Sequence, residues 1–169
     1  AEFLLHSAHQ IAPENVRVHI DYIQVLQKRQ QHSAALEQAR SLLQSEPDNA
    51  QFQSIYAVQC MQSGDFDEAL RGFDRILQTL PDDPVTLTSQ GHALKTKGDS
   101  AGAIKSYQNA IAAYPRHGEA FFSLANLKTY RFSDEEIDHM LGLQNDENLG
   151  FMERVHICFA LGKSFEDRG

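Results

Sequence analysis

The sequence is poor in cysteine, in positive charge and in long apolar runs, and each shortage excludes a class of protein. Its two cysteines, Cys60 and Cys158, are too few and too far apart for a disulfide framework or a cysteine metal cluster. With 15 Lys and Arg against 23 Asp and Glu, the net charge of -8 disfavours a general nucleic-acid binder, which would carry basic patches. No run approaches the roughly 18 apolar residues of a membrane-spanning helix. We therefore expect a cytoplasmic protein, in a reducing compartment, with neither nucleic acid nor membrane as a partner.

Proline is also scarce, yet four of the five prolines share one register. They stand 34 residues apart, at Pro13, Pro47, Pro81 and Pro115. The surrounding segments match at the same spacing, since SGDFDEALRGFDRILQTLPDD at 63–83 aligns with KGDSAGAIKSYQNAIAAYPRH at 97–117. A fixed period of this length indicates stacked structural repeats.

One period has the pattern of a helical hairpin. Residues 84–97 predict a first helix, closed by Gly98, because glycine tolerates the left-handed conformation that ends helices. Residues 100–114 predict a second helix, whose apolar residues recur at spacings of three and four. A single hairpin cannot bury its apolar face alone, so successive hairpins must stack. The predicted fold is all-α, a right-handed α-solenoid of antiparallel helix hairpins.

The repeated residues resemble the tetratricopeptide repeat (TPR) family. The family pattern has a small residue in the first helix, then an Ala, an aromatic residue, another Ala and a final Pro. In the unit 84–117 these are Gly91, Ala103, Tyr107, Ala110 and Pro115. The units 50–83 and 16–49 resemble the pattern less closely, and in 16–49 Gln30 replaces the turn glycine. The resemblance covers nearly the whole chain.

The register describes 1–169 as a single TPR domain. We expect a partial repeat with a second helix alone at 1–15, full repeats at 16–49, 50–83 and 84–117, a modified repeat at 118–154, and the first helix of a truncated repeat at 155–169. Ala1 occupies the place of Ala35, and Gly169 occupies the place of Gly98. Both ends therefore fall inside repeats, and we expect a fragment of a longer chain.

The unit 118–154 breaks the pattern of the others. Residues 118–130 still resemble a first helix, but RFSDEEI then replaces the Gly-Asp turn, with Phe132 in the place of glycine and Ile137 in the place of Ala103. Ser133 and Glu136 predict a capping box at the start of the second helix. Two interpretations remain open, namely sequence drift at an interface or the approach to a second domain.

A second resemblance favours the approach to a second domain. SLANLKTYRFSDEEI, followed by RVHICFALGKSFEDRG, resembles the last repeats of bacterial TPR–sulfotransferase fusion proteins. It implies that this chain is the N-terminal region that recruits a substrate or partner to a sulfotransferase. The catalytic domain would follow residue 169 and use 3′-phosphoadenosine-5′-phosphosulfate (PAPS). Because 1–169 holds no strand followed by a phosphate-binding glycine loop, we expect no enzyme activity, catalytic residue or cofactor in this fragment.

Two clusters suggest a metal site and both have simpler explanations. His6 and His9 have a spacing that could present two metal ligands, but without a third ligand a solvated helix face is favoured, and no metal site is predicted. Asp134, Glu135 and Glu136 fall in the first turn of a helix, where negative charge complements the helix dipole.

The candidate binding surface is the concave face, which the first helices of a TPR solenoid present to a protein or peptide. The register assigns to it Arg17, Gln24, Gln51, Val58, Thr88, His92, Lys95, Phe122, Asn126 and Tyr130. The predicted function is a TPR protein–protein interaction module. The alternative is a structural array for oligomerisation or intramolecular packing, for which Phe159, Leu161 and Phe165 on the last helix should be exposed. The oligomeric state stays open.

Overall fold

The structure is a computed structural model that describes residues 15–168 together with Ser7 and Ile11. Most of the predicted partial repeat 1–15, with His6 and His9, lies outside the described residues. Within 15–168 the chain forms nine helices and no strand, which confirms the all-α prediction. They are α1 (Val16–Lys28), α2 (His32–Ser45), α3 (Ala50–Gln62), α4 (Phe66–Thr79), α5 (Pro84–Lys97), α6 (Ser100–Ala113), α7 (Gly118–Ala125), α8 (Asp134–Gln144) and α9 (Phe151–Glu166).

The chain divides into two compact units, unit 1 ending at Thr79 and unit 2 beginning at Leu80. In unit 1, α1 packs on α2, α2 on α3, and α3 on α4. In unit 2, α5 packs on α6, α6 packs on α7, and α9 packs on both α7 and α8. Neighbouring helices therefore pair in the regular repeats, whereas α9 is the shared partner of the two helices of the modified one, and the fold is an all-α solenoid of helical hairpins. The first helices of the hairpins are α1, α3, α5, α7 and α9.

The turns inside the regular hairpins repeat one backbone conformation. Gly64 and Gly98 have φ angles of 86° and 89°, and Gln30, at the same place of the first full repeat, has a φ of 59°. At Gly98 the turn is closed by its own N–H, which donates to Lys95 O at 3.0 Å, and by the N–H of Asp99, which donates to Leu94 O at 3.0 Å. The helix predicted over 84–97 is observed as Pro84–Lys97.

The small residue of the first helix makes room for the aromatic residue of the second. A Cβ atom added to Gly91 would lie 2.4 Å from Cε1 of Tyr107. Tyr107 is fully buried, and burial raises the pKa of its phenol to about 12. Ala103 is also fully buried in this hairpin. The pattern of small and large residues therefore reflects close packing of α5 against α6.

The modified repeat departs further from the others than its sequence predicts. The first helix was expected over 118–130, but α7 ends at Ala125. Asn126 is its C-cap, with a backbone N–H and a side-chain Nδ2 that both donate to Phe122 O, at 3.2 and 2.8 Å. Phe132 then stacks on Phe121, with ring centroids 6.5 Å apart. These contacts accompany the end of α7 at Ala125, seven residues before Phe132, which stands in the place of the turn glycine.

The second helix of the modified repeat begins as predicted. Ser133 Oγ accepts from Glu136 N at 3.2 Å, and Glu136 Oε2 accepts from Ser133 N at 2.8 Å, so the capping box is present. Helix α9 starts at Phe151, one turn before the unit predicted from residue 155, because the extended backbone of Gly150 ends the preceding loop there. Across the described residues, no helix combines the length and apolar character that a bilayer crossing would need.

Candidate functional site

In unit 1, α1 and α3 border a cavity of about 210 Å³. The predicted residues Gln24, Gln51 and Val58 all line it. A second cavity, of about 630 Å³, lies at the C-terminal ends of the same two helices and shares Gln24 with the first. Arg17 is exposed on α1 and lines neither cavity. Three of the four predicted residues in unit 1 therefore meet in one groove.

In unit 2, His92 on α5 is held between a buried and an exposed partner. Its Nδ1 lies 2.9 Å from the phenol oxygen of Tyr107, and its Nε2 lies 3.4 Å from Glu119 Oε1. The hydrogen bond from His92 holds the pKa of Glu119 below its usual value, against the opposing effect of burial. The buried Tyr107 therefore orients the imidazole of His92, and His92 in turn contacts the more exposed carboxylate of Glu119.

Phe122 on α7 is part of an aromatic cluster with α9. Its ring centroid lies 4.7 Å from that of Phe159 and 5.1 Å from that of His156. Phe159 remains 46% exposed. The cluster, defined as Phe122, His156 and Phe159, presents an apolar surface to solvent on the first helices of unit 2. Phenylalanine, like tyrosine and tryptophan, is enriched at protein interfaces relative to the rest of the surface.

Two predicted residues are turned away from this exposed surface. Thr88 is 2% exposed; its Oγ1 donates to Pro84 O at 2.8 Å and lies 2.8 Å from His117 Nε2. Tyr130 lies beyond the end of α7 and hydrogen-bonds to Gln108 Nε2 at 3.2 Å and to Glu136 Oε1. Burial, followed by the Glu136 hydrogen bond, raises the pKa of Tyr130.

Lys95 and Asn126 keep exposed positions. Lys95 lies in the last turn of α5, and Asn126 is exposed although its amide caps α7. Among the residues that the structure describes, no three His, Cys, Asp or Glu side chains converge as a metal site would require.

The last helix differs in part from the prediction of an exposed apolar face. Phe159 and Phe165 are exposed, at 46% and 52%, but Leu161 is 3% exposed and its prediction is wrong. Leu161 belongs to the buried cluster that α9 forms with α7 and α8. Phe151, which was not predicted, is more exposed than any of these three.

The sequence analysis did not predict that Phe159 and His156 contact Phe122, although the spacing of both residues from Phe122 follows the repeat period. His156 stands one regular period of 34 residues after Phe122. Phe159 stands 37 residues after it, the spacing that the modified repeat imposes on the next unit. Only the packing of α9 on α7 shows that both spacings bring a ring to Phe122.

Comparison with known protein families identified two matching models. The model described as "Cytochrome c-type biogenesis protein H TPR domain" matches residues 4–86, and the model described as "Tetratricopeptide repeat" matches residues 88–127. No curated protein matches the sequence.

Similar solved structures include a crystal structure of MamA, with 13% sequence identity, a TM-score of 0.61, and coverage of 97% of this chain and 84% of that one. Another is a tetratricopeptide repeat protein from Parabacteroides merdae ATCC 43184, with 18% identity, a TM-score of 0.63, and coverage of 99% and 68%. At these identities the likeness shows the fold alone.

Proposed function

The chain belongs to the tetratricopeptide repeat family, whose arrays are protein-interaction and scaffold modules. We propose that it recruits a partner protein by binding an extended segment of that partner on the first helices of unit 2. The observation that carries this proposal is the aromatic cluster of unit 2. An exposed apolar surface of this kind, next to a fixed His92–Glu119 pair, combines an apolar anchor with hydrogen-bonding groups.

The residues have distinct roles in this proposal. Phe122 and Phe159 form the anchor, and His92 and Glu119 orient the polypeptide by hydrogen bonds. Lys95 supplies a positive charge that would favour an acidic group on the partner. Asn126 extends this surface of unit 2 at the end of α7. The remaining candidates lie in unit 1, where Arg17, Gln24 and Gln51 are exposed on α1 and α3 and Val58 is half-buried on α3.

The test is a selection of binding peptides from a random-sequence displayed library, followed by calorimetric titration. We expect selected peptides to bind the wild-type chain and to lose about tenfold or more in affinity for Phe122→Ala, because truncation of a buried interface aromatic costs this much or more. Phe165→Ala is the matched control, since it removes an exposed phenylalanine from α9 outside the cluster. Absence of binding peptides, or equal affinity for both variants, would contradict the proposal.

The finer proposal is that the partner is recruited to a PAPS-dependent sulfotransferase of the same longer, bacterial chain. Its support is the resemblance of residues 123–169, the region where the structure also departs from the regular repeats. Calorimetric titration of 3′-phosphoadenosine-5′-phosphate tests it. We expect binding to the full-length parent and none to this fragment; a folded parent that does not bind would refute it. The free Cys60 and Cys158 support a reducing compartment such as the cytoplasm.

A second candidate function, oligomerisation or intramolecular packing, is favoured by a different observation. Phe151, Met152 and Val155 are exposed at the start of α9, at 78%, 54% and 44%. A structural array would bury this surface against another copy or another part of its own protein. Light scattering over a range of concentrations would detect self-association, and Phe151→Ser should then lower the mean mass.

A further inference from the structure

A buried glutamine in unit 1 has an unpaired side-chain oxygen. Gln59 is 2% exposed, and its Nε2 donates to Gln27 Oε1 over a long 3.4 Å. Its Oε1 has no hydrogen-bond partner, and among the described residues this atom shares that property with His32 Nδ1. Buried polar side-chain atoms are paired in the large majority of cases, so each exception calls for a physical explanation.

The repeat register shows that the hairpin itself does not need this amide. The same place in the other repeats, one period of 34 residues before and one and two periods after, holds Val25, Ala93 and Leu127, which are all apolar. Ala93 and Leu127 are buried there, as Gln59 is. An apolar side chain would therefore satisfy the packing without leaving an acceptor unpaired. The amide at residue 59 is explained if something outside the hairpin pairs with it.

Both unpaired atoms belong to side chains that line two adjoining cavities, which together we call the α1–α3 groove. Gln59 lines the cavity of about 210 Å³, and His32 lines the cavity of about 630 Å³. The two cavities share Gln24 and Gln27 and follow α1 from Ile20 to its end at Lys28. At 1.5 Å per residue this stretch of α1 is about 12 Å long. An extended peptide of about four residues has the same length.

The lining of the groove indicates the chemistry of its ligand. Isoleucine and valine side chains form an apolar wall, and glutamine amides supply both donors and acceptors. Lys28, at the far end, is the one charged residue among those that line the two cavities. A charged side chain beside Gln59 would lose its hydration without gaining an opposite charge. A peptide group instead offers an N–H donor and a carbonyl acceptor in a neutral unit.

We propose that the α1–α3 groove of unit 1 binds the main chain of an extended, uncharged polypeptide segment, and that Gln59 Oε1 accepts a hydrogen bond from a backbone N–H of that segment. The inference rests on the proposed function, because it assumes that the chain recruits a polypeptide and names the ligand chemistry of a surface in unit 1. In this proposal Gln59 binds the ligand's backbone, which is the same for every sequence. The apolar side chains of Ile55 and Val58 would select among the ligand's side chains.

The test isolates unit 1 by using the variant Phe122→Ala/Phe159→Ala as bait for the random-sequence displayed library. The strongest selected peptide is then synthesised with each backbone N–H methylated in turn. We expect one methylated position to lower affinity about tenfold, the equivalent of one hydrogen bond of about 1.4 kcal/mol. Gln59→Met should lower affinity by the same factor, and the methylated peptide should lose nothing further on that variant.

The stability of the same variant separates binding from a structural role. Gln59→Met should raise Tm while it lowers affinity, because an apolar side chain removes the unpaired buried acceptor. Gln59→Leu repeats the test with a different shape. Gln53→Leu is the matched control on α3, since Gln53 Nε2 already donates to Pro47 O at 2.8 Å and lies outside the groove. This control should leave affinity unchanged.

The outcomes distinguish this inference from the proposed function. If the wild-type chain selects peptides and the double alanine variant selects none, the inference falls and the proposed function stands. If neither selects a peptide, both fall. If peptides bind equally to Gln59→Met and to the wild type, or if Gln59→Met lowers Tm, Gln59 has a structural or water-filled role and the inference is overturned.

Discussion

The regular hairpin of α5 and α6 and the modified hairpin of α7 and α8 begin from similar sequences and end differently. In the regular one, a first helix of 14 residues reaches Lys97, and the left-handed Gly98 returns the chain at once. In the modified one, the first helix has 8 residues and residues 126–133 connect it to the second. Yet both second helices begin in register, at Ser100 and Asp134.

The difference shows that the two ends of a hairpin turn are fixed by separate interactions. The second helix starts where a side chain caps it, which is Asp99 in one case and Ser133 in the other. The first helix ends early at Ala125, where Asn126 caps it and Phe132 packs on Phe121. Loss of the glycine alone does not shorten it, because α1 reaches Lys28 with Gln30 in the turn. The modified hairpin is then completed by α9, which shares one buried cluster with α7 and α8.

The largest expected effect comes from exchanging the residues at one shared place. Ala103 and Ile137 are equivalent in register, fully and almost fully buried. Ile137→Ala should cost about 2–5 kcal/mol, because it opens a cavity in the cluster of α7, α8 and α9. Ala103→Ile should cost about 1–3 kcal/mol, because it overpacks the close α5–α6 contact. Urea denaturation measures both, and a neutral result for either exchange would mean that the two hairpins pack alike.

A smaller effect should come from removing the two caps. Ser133→Ala and Asp99→Ala each leave backbone N–H groups at a helix start unpaired, and each should cost about 1 kcal/mol. Thermal unfolding followed by circular dichroism checks the pair. Equal losses would support the view that capping fixes the start of the second helix in both hairpins. A large loss for Asp99→Ala with none for Ser133→Ala would contradict it.

The smallest effect concerns pH at the junction between these hairpins. Because Thr88 Oγ1 donates to Pro84 O, His117 Nε2–H donates to Thr88 Oγ1. Burial lowers the pKa of His117, so the unfolded chain binds the proton first as the pH falls through about 6.5. Stability should therefore fall from pH 7 towards pH 5 and level off below the folded pKa.

The measurement is Tm against pH for His117→Gln, which should show a shallower decline than the wild type. His139→Gln is the control, since it removes an exposed histidine from α8. If the His117→Gln and wild-type profiles are parallel, His117 does not carry the acid sensitivity.

The parts of this fold that follow local rules could be predicted from the sequence. Gly98 and the Ser133–Glu136 pair act through the backbone next to them, and both turned out as the sequence predicts. The end of α7 could not be predicted, because it depends on the packing of Phe132 on Phe121 and on the amide of Asn126. Tyr130 was assigned to the binding surface for the same reason, since the prediction assumed a longer helix.

The candidate sites show the same division. Periodicity was enough to place Gln24, Gln51 and Val58 along one groove. It also placed Thr88 on the binding surface, because periodicity does not show that His117 covers it. The sequence shows Gln59 as a polar residue in a place that holds Val25, Ala93 and Leu127 in the other repeats. Only the structure shows that its Nε2 donates to Gln27 while its Oε1 is buried without a partner.

Binding of a partner polypeptide to the first helices of unit 2 can be observed directly by nuclear magnetic resonance with a peptide selected on the wild-type chain. We expect the largest chemical-shift changes on titration at His92, Glu119 and the Phe122–His156–Phe159 cluster. Phe122→Ala should abolish them at the same peptide concentration. Shifts confined to α6 and α8, or to Phe151 and Val155 at the start of α9, would contradict binding to the first helices of unit 2.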